Sequence, residues 1–110
     1  MLLSSRDEPL LCEELVLRAR MDLDAGRIAL AAIGLERAYA TALVELVGEH
    51  RADLAVRVEE LAELRGEVER AARNALPNVA ADPETQVVRH GLERLEAALR
   101  ARTAAGFTVR

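Results

Sequence analysis

Tryptophan is absent from this sequence, and the other aromatics occur once each, as Tyr39 and Phe107. The core therefore has to be aliphatic, built from Leu, Val, Ile and Ala, and such a core suits helices lying close together. Lysine is absent as well: all fifteen basic residues are arginine. With so much Ala, Val and Leu, this reads as the codon bias of a GC-rich, bacterial genome and speaks to ancestry rather than chemistry. Cys12 is the only cysteine. It has no internal disulfide partner, which fits a reducing cytoplasm. No basic stretch followed by a long apolar run opens the chain, so no signal peptide is expected and the location is read as cytoplasmic. A net charge of −4 without a basic stripe argues against general binding to nucleic acid or anionic membranes.

Catalytic and metal-binding patterns are missing too. No CxxC, HxH or HExxH spacing offers a zinc site. A ferritin-type di-iron centre needs Glu-x-x-His, but Val87 and Val47 stand three residues before His90 and His50. No GxGxxG or GxxxxGK[ST] loop cradles a phosphate, since the glycines sit at helix ends or singly within helices. No catalytic residue, metal or cofactor is therefore expected. His50, at a helix carboxyl end, and His90, on an outer face, read as surface histidines. Cys12 reads as a buried, inert thiol.

Hydrophobic residues at 51% and charged residues at 31% make a globular composition rather than a disordered one. The length points to a single domain over residues 1–110, burying roughly 60–70% of its unfolded surface. The expected class is all-α, an antiparallel, up-and-down four-helix bundle. Helices are predicted over about 9–25, 27–47, 51–75 and 83–103, with a loose tail over 104–110. Asp7 and Pro9 open the first and Gly26 ends it; Gly48 stops the second and Pro77 follows the third. Asp82-Pro83-Glu84 supplies a cap, a first-turn proline and an acidic first turn for the fourth. Short connections after the first two helices favour antiparallel neighbours.

At 100° per residue, Val88, Leu92, Leu95 and Leu99 form one apolar seam, and Leu54, Val58, Leu61, Val68 and Ala72 another. Along the third helix, Glu69 is spaced to pair with Arg73. The second helix has only a thin polar strip of Arg27, Gly34, Arg37, Thr41, Glu45 and Gly48, so it belongs at the centre. Ile28 to Val47 is apolar enough to invite a membrane reading. Glu36 and Arg37 near its middle would each cost roughly 2.5–3.5 kcal/mol on insertion, so a buried helix fits better. On the first helix, Leu11, Cys12, Leu15, Val16, Ala19 and Leu23 form a core face. Leu10, Leu17 and Met21 project on another side, beyond Glu14 and Arg18. A monomeric bundle has no use for that second set, so it is the expected homodimer interface. The alternative is that the residues before the helix fold back over Leu17.

Two charges fall where the wheels place burial. Glu36 lies among Ala29, Ala32, Tyr39, Ala40 and Leu43, and Arg65 among Leu61, Val68 and Ala72. Folding the chain back at Glu49 and His50 sets them about 3 Å apart in axial register. A partly buried Glu36–Arg65 ion pair near the Tyr39 hydroxyl is expected, fixing helix register. Losing one partner of such a pair would cost roughly 3–5 kcal/mol.

The stretch Ala19-Arg20-Met21-Asp22-Leu23-Asp24-Ala25-Gly26-Arg27-Ile28-Ala29-Leu30-Ala31-Ala32-Ile33 ends one helix and opens another around a glycine. It resembles the first helix hairpin of HEPN-like domains and is equally similar to a single tetratricopeptide unit, with Gly26 and Ala38 suitably spaced. The likeness covers about a third of the chain, and no second copy recurs at a period of about 34 residues. HEPN ribonucleases carry an Arg followed shortly by a His near the third helix. Arg70-Ala71-Ala72-Arg73-Asn74-Ala75 supplies Arg and Asn but no His. The resemblance therefore implies a nucleic-acid-associated protein without ribonuclease activity, in a toxin–antitoxin or defence setting. The residues themselves point first to a non-enzymatic module that self-associates or docks a protein. A small-molecule binder with an apolar pocket near Tyr39 is the remaining expectation.

Overall fold

A computed structural model describes residues 9–76 and 82–108, with side chains in the second stretch over 84–104. The described chain is helical: α1 (Leu11–Asp24), α2 (Ile28–Gly48), a short 3₁₀ turn (Ala52–Leu54), α3 (Ala55–Ala75) and α4 (Asp82–Thr108). These helices form the expected antiparallel, up-and-down bundle. It is elongated and flattened, with extents of 49 × 26 × 18 Å. Among the described residues no helix is long and apolar enough to cross a membrane.

Local chemistry accounts for the helix ends. Gly26, at φ 81°, takes the left-handed position after α1. The Arg27 N–H reaches the Asp22 carbonyl at 2.8 Å and the Gly26 N–H the Leu23 carbonyl at 3.0 Å, satisfying the last turn. At the end of α2 the left-handed residue is His50, at φ 53°, where a side chain is tolerated at some cost. The cap residue of α1 is Leu10, which brings no polar side chain; the proposed cap, Asp7, lies outside the described residues. Glu13 instead turns back so that its carboxylate accepts the Leu10 N–H at 2.6 Å.

Helix α2 packs against all three other helices. Ala31, Ala32, Leu35, Ala38, Tyr39, Ala42 and Leu46 line its buried side. The predicted seams of α3 and α4 are inward: Leu54, Leu61, Val68, Ala72, Val88, Leu92 and Leu95 are buried, with Val58 and Leu99 packed at the edge. Small residues let the helices approach. A methyl group added at Gly34 would meet the Ala19 Cβ at 3.8 Å, an ordinary contact, so glycine is tolerated there rather than required. At Gly91 the case differs. A Cβ would come within 3.0 Å of Val68 Cγ2 and 3.1 Å of Leu35 Cδ2. The space that glycine leaves lets the Tyr39 hydroxyl donate to the Gly91 carbonyl at 2.6 Å.

Three expectations need correction. Leu11 is not a core residue; it faces solvent beside the entry to α1. Helix α2 is not enclosed all round, because Leu30, Val44 and Val47 remain exposed. The tail expected from residue 104 is helical to Thr108. Nothing between Ala101 and Ala105 breaks a helix, and Arg102 anchors that turn to the rest of the bundle.

Tyr39→Phe removes one buried hydrogen bond without changing the packing. It is expected to lower stability by about 1 kcal/mol, a fall of about 4 °C in melting temperature for a domain of this size, read by calorimetry.

Candidate functional site

The expected Glu36–Arg65 pair is not made. Arg65 turns along its own helix to Glu69, with Nε 3.1 Å from Oε2. Glu36 stands at the rim of an open groove between α2 and α3, lined by Ile33, Glu69, Ala72, Arg73 and Leu76. The physical reason is register. Glu49 and His50 turn, the 3₁₀ segment takes Ala52 to Leu54, and α3 proper begins only at Ala55. These residues shift α3 along its axis, so Glu36 lies level with residues 69–73 rather than with Arg65. Tyr39 is not part of any charge pair either. It is fully buried, its hydroxyl donates to the Gly91 carbonyl, and burial followed by the Glu60 charge pushes its hydroxyl pKa upward.

The buried charges are elsewhere, at the end of the bundle where α1 begins and α2 turns into α3. Glu45, on the polar strip of α2, accepts the first two free N–H groups of α1: Leu11 N at 2.8 Å and Cys12 N at 2.9 Å. A carboxylate there also faces the positive end of the α1 dipole. Nearby, Arg102 of α4 holds Glu49, with Nε and Nη2 both 2.8 Å from Oε2. The side chains are 3% and 9% exposed. Arg51 closes the cluster: Nη1 lies 3.4 Å from the Arg102 carbonyl and 3.7 Å from Glu49 Oε1, and Nη2 binds Asp53 at 2.6 Å. Cys12 is fully buried beside this network. Burial first, then its hydrogen bond and proximity to Glu45, push the thiol pKa up, with Arg102 opposing. The sequence carried one signal for this cluster: Arg102 continues the 88-92-95-99 seam at the next core position. Glu45 and Glu49 gave none.

Further ion pairs tie α4 to its neighbours. Arg20 of α1 grips Glu96 at 2.8 and 3.0 Å, and Arg94 grips Glu60 of α3 at 2.9 and 3.1 Å. These forked contacts orient helices; no group of three or more potential metal ligands exists among the described residues. Arg70 and Asn74, where the HEPN motif would fall, line a shallow α3–α4 groove in which Asn74 donates to Glu84 at 3.1 Å.

The proposed interface residues separate into two kinds. Leu17 and Met21 are 64% and 65% exposed, on the side of α1 opposite the buried Cys12, Val16, Ala19 and Leu23. Leu10 is half-buried and packs against the core. Between them Glu14 and Arg18 form an exposed pair at 2.9 Å. A second apolar strip runs along the outside of α2, where Leu30, Arg37 and Val44 follow one another at seven-residue spacing and Val47 extends it. Compared with models of protein families, with curated proteins and with solved structures, the chain has no match.

Denaturation, thiol reactivity and the pH dependence of stability check this site. Arg102→Ala leaves the Glu49 carboxylate only its longer contact with Arg51, at 3.7 Å, and should cost roughly 3 kcal/mol in chemical denaturation, with the double variant Arg102→Met, Glu49→Gln losing much less. Glu36→Ala, with no partner to strand, should stay within about 0.5 kcal/mol of the parent. Cys12 should be inert to an aromatic disulfide reagent in the folded protein and react fully in denaturant. Because its folded pKa lies above the ordinary 9.0, the folded state holds a proton that the unfolded state releases. Stability should therefore fall as pH rises past 9.0, and less so in Cys12→Ala.

Proposed function

We propose that this chain is a non-catalytic helical association module, and that the outward face of α1 seats a second copy of itself. The exposure of Leu17 and Met21 carries this conclusion. Each could face the core only by rolling α1, and α1 is held by Glu45 at its start and by Arg20–Glu96 along its side. The apolar side chains are therefore displayed by a helix that is fixed in orientation. Covering them removes apolar area from water at roughly 25 cal/mol per Å².

The outer strip of α2 is a poorer seat for a second copy. Arg37 sits midway between Leu30 and Val44, so a two-fold contact there would bring two guanidinium groups together without a carboxylate to separate them. On α1 both signs of charge are present beside the apolar residues, as Glu14 and Arg18. A ligand pocket at Tyr39 has less support, since that side chain is fully buried and its hydroxyl is already bonded to the Gly91 carbonyl.

Sedimentation equilibrium from micromolar to millimolar protein should show a reversible monomer–dimer equilibrium. Leu17→Glu should shift it to monomer without altering helical content. A monomer at every concentration would overturn the proposal, and is the result expected if the residues before α1 cover Leu17.

A further inference from the structure

Resting on that self-association, we infer that the two copies pair their α1 helices antiparallel about a two-fold axis near position 16. In that arrangement Glu14 of each copy binds Arg18 of the other, and the two Leu17 side chains pack at the centre.

Leu10, Leu17 and Met21 follow one another at steps of seven and four, the spacing that keeps one seam facing a neighbouring helix. The seam is short. Helix α1 has 14 residues, about 21 Å at the α-helical rise. Only Leu17 and Met21 are presented to solvent along it, with Leu10 offering its uncovered edge at one end. Such a contact falls below the ~1,200 Å² at which stable interfaces begin, so the dimer is weak. In a weak contact, charge placement decides orientation and register.

That placement is self-complementary in one orientation. Glu14 and Arg18 lie on the same flank of the apolar seam, and an antiparallel two-fold brings like flanks together. Position 16 is the midpoint of Glu14 and Arg18, so an axis there sets each carboxylate level with the other copy's guanidinium. The midpoint of Leu10 and Met21 falls half a residue away, under about 1 Å along the helix. The apolar ends of the seam therefore meet in the same register. The two Leu17 Cβ atoms are offset by about 3 Å along the axis, close enough to pack. A parallel pairing would put opposite flanks together, with Glu14 level with Glu13 of the other copy, both acidic. The pair that closes within one helix at 2.9 Å, with side chains 65% and 71% exposed, can exchange partners at little cost because both groups are already in water.

The test combines charge reversal with cross-linking, at low ionic strength of about 50 mM, where screening is modest. Glu14→Arg and Arg18→Glu should each weaken dimerisation at least about tenfold, and the double reversal should restore it to within about threefold. Circular dichroism of all three should match the parent, since both side chains are exposed. Under mild oxidation Leu17→Cys should give a disulfide-linked dimer, whereas Met21→Cys should not, because antiparallel pairing separates the two copies of position 21 by about 15 Å. The native thiol of Cys12, being buried, does not compete. A dimer in which Met21→Cys cross-links as readily as Leu17→Cys, or in which the double reversal fails to recover, overturns this geometry while leaving self-association intact. A wild-type chain that never dimerises overturns both.

Discussion

The grip of α2 on the start of α1 governs much of what the molecule presents to its surroundings. Leu10 has no polar group with which to cap the helix it precedes, and the first N–H groups of an α-helix need acceptors. Glu45 supplies them from a neighbouring helix, at 2.8 and 2.9 Å. A cap made within one segment orders only a turn; a cap delivered from residue 45 also sets how α1 sits on α2. Arg20–Glu96 then fixes the same helix against α4. With both contacts in place, Cys12, Val16, Ala19 and Leu23 point inward and Leu17 and Met21 point out.

The same end of the bundle holds its most buried charges. Glu49 follows the end of α2, and Arg102 lies six residues before the end of α4, so their pairing ties the second turn of the chain to the last helix. Such a pair adds little net stability, because desolvation offsets attraction, but it penalises any register that leaves either charge without the other. It also holds α4 to the bundle at Arg102, within the stretch that continues as helix to Thr108. Cys12 lies among Glu13, Glu45 and Arg102, and burial first, then the carboxylates, favours its protonated form. A thiol held in that state is a packing group rather than a nucleophile.

Among the described core residues Tyr39 is the one aromatic ring, and the structure accommodates its polar tip by a specific vacancy. Gly91 brings the backbone of α4 within reach of the Tyr39 hydroxyl, while Val68 and Leu35 close around the space where a Cβ would project. Residues of α2, α3 and α4 thus meet around Gly91.

Helix content, the number of helices and the inward seams were legible from amino-acid order alone, because the 3.6-residue period, Gly26 and the Asp82-Pro83 start are local signals, whereas α2 runs through Gly48 and turns at His50. The apolar residues left over on α1 were legible for the same reason. Pairing between helices was not. The expected Glu36–Arg65 contact depended on where α3 begins, and a three-residue 3₁₀ turn that no local pattern announces moved that start. Arg102 could be seen to continue an apolar seam, yet its partner was decided by how far the chain travels through that turn. The acceptor role of Glu45 likewise arises only when α1 is laid beside α2. Local sequence determines which side of each helix is apolar; the tertiary structure decides which charge meets which, because axial register accumulates over every residue of the intervening turns.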